Sequence, residues 1–392
     1  MRFITLLLLF TILLGCQSTE ESNSIYFVSQ SAQEDARRTQ LPNGWALSPV
    51  GRSLPLGDLP LNMVVSANGN RMAVTNNGQS THSLQWIDIE NEIILDTKEI
   101  AAGWLGLAIN KAGDQLYASC GEKNMVKVYS IENDQLSLRD SMVIGQAWPT
   151  DTISAAGIAL NEQQNKLYVV TKRDSSLYTF DLSTKELIHR LDLGASAYTC
   201  LYDESKNELY VSLWDGEAIV VIDPDQLSIK QKLSVGYHPN EMALHPDRKR
   251  LFVACADDNA IVVLDLDAGT TIENLNCALY PDAPTGSTTN SLAISNDGEL
   301  LYAANADNNC LAVYEVEEPG QSQSMGFIPT GWYPTTVRLA NNRIWVANGK
   351  GFRSAANPQG PNPYERRTEE TEYIGRMFTG TLSIIDVPSE DS

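Results

Sequence analysis

Histidine is scarce in this chain: His82, His189, His238 and His245 are the only four among 392 residues. A hydrolase built on two metal ions needs several histidines and carboxylates converging on the cations, and four scattered histidines do not provide them. No Cys-x-x-Cys pair occurs, which removes zinc-ribbon and thioredoxin-like chemistry. Basic residues are also few, with 28 Lys and Arg against 49 Asp and Glu and a net charge of −21. Binding a phosphate backbone requires clustered cations, so nucleic acid is excluded as a partner. No segment beyond the N-terminus carries a long helical period, and nothing in the sequence calls for a cofactor.

The one long apolar run covers positions 3–14, directly after Arg2, and is too short to span a bilayer stably. It ends in Leu13-Leu14-Gly15-Cys16, which resembles a bacterial lipobox. That resemblance implies a signal peptide over 1–15, a lipidated Cys16, and a Ser-, Gln- and Glu-rich tether over 16–40. Gln17 stands where an Asp would resemble an inner-membrane retention signal, so the cell envelope, at the outer membrane, is the expected location, with its face left open. The membrane is then reached through the lipid alone.

What the sequence does contain is a sevenfold repeat. A short apolar strand reading Leu-Tyr-Val or a variant recurs at Met72, Leu116, Leu167, Leu209, Leu251, Leu301 and Ile344, at a spacing of about 45 residues, which suits four-stranded propeller blades. A second run follows each anchor and tends to end in an acid, as in Leu84 to Asp88, Leu177 to Asp181, Ile219 to Asp223, Ile261 to Asp265, Leu311 to Glu315 and Leu382 to Asp386. These runs are rich in Val, Ile and Tyr and bounded by Asn, Asp and Gly, which reads as strand. The expectation is all-β: a single seven-bladed β-propeller of four-stranded antiparallel blades over 41–392. Only six residues follow Asp386, too few for an outer strand. The segment from Trp45 to Gly57, with Leu47 to Leu56 pairing, is expected to close the ring as the outer strand of the last blade. Cys120 and Cys255 share one repeat position, and Cys200 and Cys310 fall in other strands, so all four read as small buried hydrophobes.

These repeats resemble the YVTN or YncE-like propellers from about Leu41 to Pro388. Leu41-Pro-Asn-Gly-Trp45, Val74 to Ser80, Gly331-Trp-Tyr-Pro334, Ala347 to Gly351, Tyr373 to Arg376 and Gly380 to Ile384 are similar to the propeller half of bacterial proteins that carry a phosphoesterase of the alkaline-phosphatase superfamily behind it. The sequence stops where that second domain would begin. The resemblance therefore implies an accessory or truncated relative, working beside a separate phosphoesterase or another envelope protein.

Strand parity places the blade-to-blade connections and the loops between second and third strands on one face, around the channel mouth. That face carries the candidate ligand-binding residues Trp104, Trp148, Trp214, His238, Asn240, Asp257, Asn290, Trp332 and Tyr333, with Tyr364 on the loop 348–380. Aromatic rings beside amides suit a small sugar, peptide or nucleoside ring; the competing reading is that they seal seams between blades. His238 is the one candidate acid or base, which supports a lactonase-like hydrolase as an alternative to non-catalytic binding. Asp215, Asp257 and Asp307 are candidate ligands for a hard cation, without EF-hand spacing. Asp88, Asp181, Asp223, Asp265 and Asp386 belong to turns on the opposite face. The loop 348–380 is much longer than its equivalents and is expected to be an ordered flap over the mouth or a docking element for a partner domain.

Lipidation is directly testable. Mass spectrometry of membrane-extracted protein should find 1–15 missing and acyl mass on Cys16; an unmodified Cys16 on soluble protein contradicts the lipobox reading.

Overall fold

The computed structural model describes residues 39–41, 44–353, 356–368 and 371–388; the expected signal peptide over 1–15 and Cys16 lie outside the described residues. Seven four-stranded antiparallel sheets form the blades of a β-propeller. In chain order blades I to VI cover 60–99, 107–143, 155–192, 197–234, 239–276 and 289–329, and blade VII runs from 334 to 386. Each Leu-Tyr-Val anchor lies in the second strand of its blade, for example Glu208–Leu213 in blade IV, and the run ending in an acid is the third, Ala218–Asp223.

Burial explains the sequence pattern. Second and third strands are covered on both faces by neighbouring blades, so Ile219, Val220, Val221 and Ile222 are all buried, and a continuous apolar run replaces alternation. The outer strand Ser228–Ser234 is largely exposed and accordingly polar. Apolar clusters fill the seams between blades. Between blades VII and I, Met63, Met72, Val74 and Ile87 meet Trp345, Ala347, Leu382 and Ile384. The five cysteines of the described part are all reduced and buried, and burial raises the Cys120 thiol to about 11 and the Cys255 thiol to about 12.

The ring closes through the N-terminal segment. Arg52–Pro55 pairs with Thr381–Asp386, Arg52 opposite Ile384 and Pro55 opposite Thr381, as the fourth strand of blade VII. The paired stretch is shorter than 47–56. Ala46–Leu47 instead pairs with Thr39–Gln40, so the end of the expected tether is a strand. The reason is local: the buried Leu41 and Leu47 anchor this small hairpin, and Gly44, at φ +88°, lets the chain turn between them. Gly51 then has no substitute. It sits at φ +76°, and a Cβ there would lie 2.2 Å from the Ile384 carbonyl oxygen.

The acids at the ends of the third strands are turn residues. Asp181 accepts the amides of Ser183 and Thr184 at 2.8 Å, and Asp223 accepts those of Asp225 and Gln226 at 2.8 and 3.0 Å; these bonds hold both carboxyls below the ordinary aspartate range. Asp386 differs, pairing with Arg52 and Arg343 on the two strands that flank it within blade VII. Among the described residues, no helix is long and apolar enough to cross a membrane.

Deleting 41–57 should lower the melting temperature and promote aggregation, because it removes a whole strand from blade VII and leaves a third-strand edge open. Within the seam it covers, Leu382→Ala should cost about 2–5 kcal/mol. Unchanged melting and solubility after the deletion would contradict closure by this segment.

Candidate functional site

The rim of the mouth is built from strained backbone. The residue just before the innermost strand is left-handed in five blades: Leu59 (φ 46°), Ser154 (65°), His238 (48°), Thr288 (52°) and Tyr333 (65°). This conformation is uncommon for residues with a Cβ and costs on the order of 1–3 kcal/mol. It persists because each carbonyl is engaged: Leu59, Ser154, His238, Thr288 and Tyr333 accept the amides of Asn77, Lys172, Ala256, Ala306 and Gly349 at 2.8–3.1 Å. Every such bond ties a blade-to-blade connection to the loop between the second and third strands of the same blade. The two loop sets therefore form one fixed rim.

Five of the candidate ligand-binding residues stand on this rim in two groups. In the first, the His238 imidazole stacks on the Trp214 indole, centroids 4.0 Å apart at 17°, and its Nδ1 lies 2.6 Å from Asp257 Oδ2. With Asp257 on Nδ1, the neutral ring carries its proton there and presents Nε2 as an acceptor. Lys172 places its ammonium 4.4 Å from the Trp214 ring centre. In the second group, Lys350 lies 4.0 Å from the centre of Tyr333 and 5.7 Å from that of Trp332. Burial pushes the Lys350 ammonium below the ordinary lysine value while Asp307 opposes the shift, and burial together with Asp307 raises the Tyr333 hydroxyl.

The remaining candidates are dispersed. Trp148 packs under the Arg173 guanidinium at 4.1 Å, and Trp104 is half-buried beside Gly121. Asn240 donates to Asn290 Oδ1 at 2.9 Å inside the channel. Tyr364 is 94% exposed and joins none of these groups. The loop 348–380 touches the mouth at one sector: Phe378 meets Trp332 edge-on at 5.6 Å, and Gly375 packs near Gln79 of blade I. Trp148, His238 and Asp257 stand on blades away from that contact.

Asp215, Asp257 and Asp307 are braces. Asp215 accepts the Ser196 amide at 2.6 Å and its hydroxyl at 3.0 Å, Asp257 holds His238, and Asp307 accepts the Thr288 hydroxyl at 2.6 Å. The three belong to three different blades, and among the described residues no three His, Cys, Asp or Glu come together as a metal site. His245 is buried at the turn that leads into the second strand of blade V and braces the Arg250 guanidinium.

A charged lock across the channel escaped the sequence reading. Arg338 of blade VII forms a two-point ion pair with Glu241 of blade V (2.5 and 3.2 Å) and bonds Asn62 Oδ1 (2.9 Å), the Met63 carbonyl (2.8 Å) and Ser291 Oγ (3.3 Å). The signal was a lone Arg inside the apolar run Val337 to Leu339, facing the channel rather than a seam. A cavity of about 340 Å³ lies along the innermost strands at this level, lined by Val65, Leu107 and Leu339. A second of about 590 Å³ opens among the mouth loops of blades I to IV and is lined by Asn77, His82, Trp104, Lys172 and Arg173.

Known proteins share the architecture. A family model described as "Lactonase, 7-bladed beta-propeller" matches residues 225–351, which spans His238, Asp257, Trp332 and Arg338. No curated protein matches the chain. Among solved structures, hydrazine synthase of Kuenenia stuttgartiensis superposes with a TM-score of 0.64 at 15% identity, over 77% of this chain and 95% of that one. The WD40 repeats of RRP9 do so with 0.65 at 13%, over 85% and 97%, and U3-55K with 0.64 at 13%, over 85% and 98%. At such identities the likeness is one of fold alone.

If the three aspartates brace the rim, millimolar calcium should leave the melting temperature unchanged, whereas a site filled to 100 times its Kd would add about 2.7 kcal/mol. Asp215→Ala should lower melting by a few degrees with or without calcium. A calcium-dependent rise that Asp215→Ala abolishes would restore the cation reading.

Proposed function

We propose that this chain is a lipid-anchored envelope propeller that binds a small polar ligand at its channel mouth and performs no chemistry of its own. The observation that carries this is the Trp214 group: an indole stacked on His238 and capped by Lys172, on a rim whose strain is held by backbone bonds. The Lys172 ammonium and the partly exposed His238 imidazole, both fixed by the Trp214 ring between them, suit a ring-shaped ligand with a polar or anionic substituent. Anchoring through Cys16 would hold this face within reach of envelope material. The resemblance to propeller–phosphoesterase proteins supports a separate phosphoesterase as the partner that would act on what the propeller holds.

A second reading is lactone hydrolysis. It is favoured by the family match over 225–351 and by the His238–Asp257 pair, since an imidazole oriented by a carboxylate can activate water as a general base. No further carboxylate or histidine completes a cluster with them among the described residues, which is why binding is preferred.

Titrating the full-length protein against panels of sugars, nucleosides and short peptides, while assaying sugar lactones, separates the readings. Binding without turnover, weakened about tenfold or more by Trp214→Ala, is the expected result. Lactone turnover that His238→Gln lowers by about a hundredfold or more would establish the hydrolase instead, and a panel with no binder would remove the binding reading.

A further inference from the structure

The second aromatic group on the rim holds a cation poorly suited to its place. The Lys350 ammonium sits against two consecutive rings, 4.0 Å from the centre of Tyr333 and 5.7 Å from that of Trp332. A primary ammonium carries three N–H donors. Among the described residues Nζ of Lys350 meets neither a carboxylate at ion-pair distance nor a hydrogen-bond acceptor, so those donors are left to water. The side chain is half-buried, and this burial disfavours its charge while Asp307 supports it without contact.

The rings are fixed without help from the ammonium. The Lys350 amide bonds the Trp332 carbonyl at 3.0 Å, the Gly349 amide bonds that of Tyr333 at 2.8 Å, and the Trp332 amide bonds the Gly351 carbonyl. Asn309 Oδ1 accepts the Tyr333 amide at 3.0 Å, and Phe378 backs Trp332 edge-on. Glycines permit the close approach: a Cβ on Gly351 would lie 2.2 Å from the Thr379 carbonyl oxygen, and one on Gly349 2.8 Å from Leu59 Cδ1. Gly331 to Pro334 and Ala347 to Gly351, two motifs that the Trp214 group leaves without a role, thus meet here.

The better occupant is a cation without donors. An aromatic face attracts positive charge through its quadrupole and asks for no N–H. Asp307, held by the Thr288 hydroxyl at 2.6 Å, adds attraction from beyond contact distance. A quaternary ammonium uses both, cannot lose a proton, and gives up less hydration than the strongly hydrated lysine ammonium. Lys350 breaks no ion pair when its flexible stem swings out to water. The net charge of −21 also favours the approach of a cation.

We propose that Trp332 and Tyr333 form a binding site for a trimethylammonium group, with Lys350 as a built-in occupant that the ligand displaces. The site is separate from the Trp214 group and stands independently of the reading above.

Isothermal titration of the full-length protein and of Lys350→Ala with choline, ethanolamine and neohexanol, the neutral carbon isostere of choline, tests it, with melting curves recorded for every variant. Choline should bind the unaltered protein weakly and Lys350→Ala about tenfold more tightly, because the competing cation is gone. Ethanolamine and neohexanol should each bind Lys350→Ala at least about tenfold more weakly than choline. In the Lys350→Ala background, Trp332→Leu and Tyr333→Leu keep apolar bulk and should abolish choline binding, whereas Tyr333→Phe keeps the ring and should retain it. Glycerophosphocholine binding at least as tightly as choline supports the site with a lipid headgroup as source; weaker binding supports it with a free solute. Neohexanol or ethanolamine binding as tightly as choline would overturn the assignment, as would choline binding that survives both leucine substitutions. Absence of choline binding to Lys350→Ala would overturn it outright, while the sugar, nucleoside and peptide panel decides the Trp214 reading separately.

Discussion

The pairing of Arg52–Pro55 with Thr381–Asp386 is the constraint on which the rest of the molecule depends. A blade buries its faces only against its neighbours, so an open ring would leave one seam without its covering strand and two blades half-buried. Closure also sets the position of the long loop. The Gly380 amide bonds the Gly57 carbonyl, and the Leu56 amide bonds the Gly380 carbonyl, both at 2.9 Å, so the end of that loop hangs from the N-terminal segment. Phe378 meets Trp332 two residues earlier. Stability and the layout of the mouth thus share one strand.

A closed ring in turn permits a strained rim. Five left-handed residues with side chains would relax in an isolated loop; here each is pinned by a backbone bond to the next loop of its own blade. Pre-organisation of this kind lowers the cost of ordering side chains on binding. The Arg338–Glu241 lock adds cross-channel bracing and joins blades I, V, VI and VII. Electrostatics act at contact range in this acidic molecule. The net charge of −21 opposes an anion at a distance, but exposed charges are screened beyond about 8 Å at physiological salt. Lys172 and Lys350, seated on aromatic faces, offer positive charge at that range on the rim.

The fold was legible in the sequence because central blade strands are buried on both faces. That leaves continuous runs such as Ile219 to Ile222 and Ile261 to Leu264, with acid-initiated turns at fixed offsets. Closure was legible from arithmetic, since the six residues after Asp386 are too few for both a turn and an outer strand. Its register was not, because only the buried Leu41 and Leu47 show that the start of the segment belongs to a separate hairpin. Strand parity grouped the candidate residues on one face but said nothing of which side chains meet. The stacking of His238 on Trp214 depends on a left-handed backbone that no composition signals. Tyr364, chosen as an aromatic on a long loop, projects into solvent.

The central claim is that ligand recognition belongs to the mouth face and the opposite face is turn structure. Amide hydrogen exchange of the full-length protein with and without a saturating sugar, nucleoside or peptide drawn from the titration panel tests it most directly. The account predicts slower exchange confined to the mouth loops around 172–174, 214–217, 236–238 and 257–259, with the opposite turns at 181–186, 223–227 and 265–269 unchanged. Protection centred on those opposite turns, with the mouth loops unaffected, would contradict it.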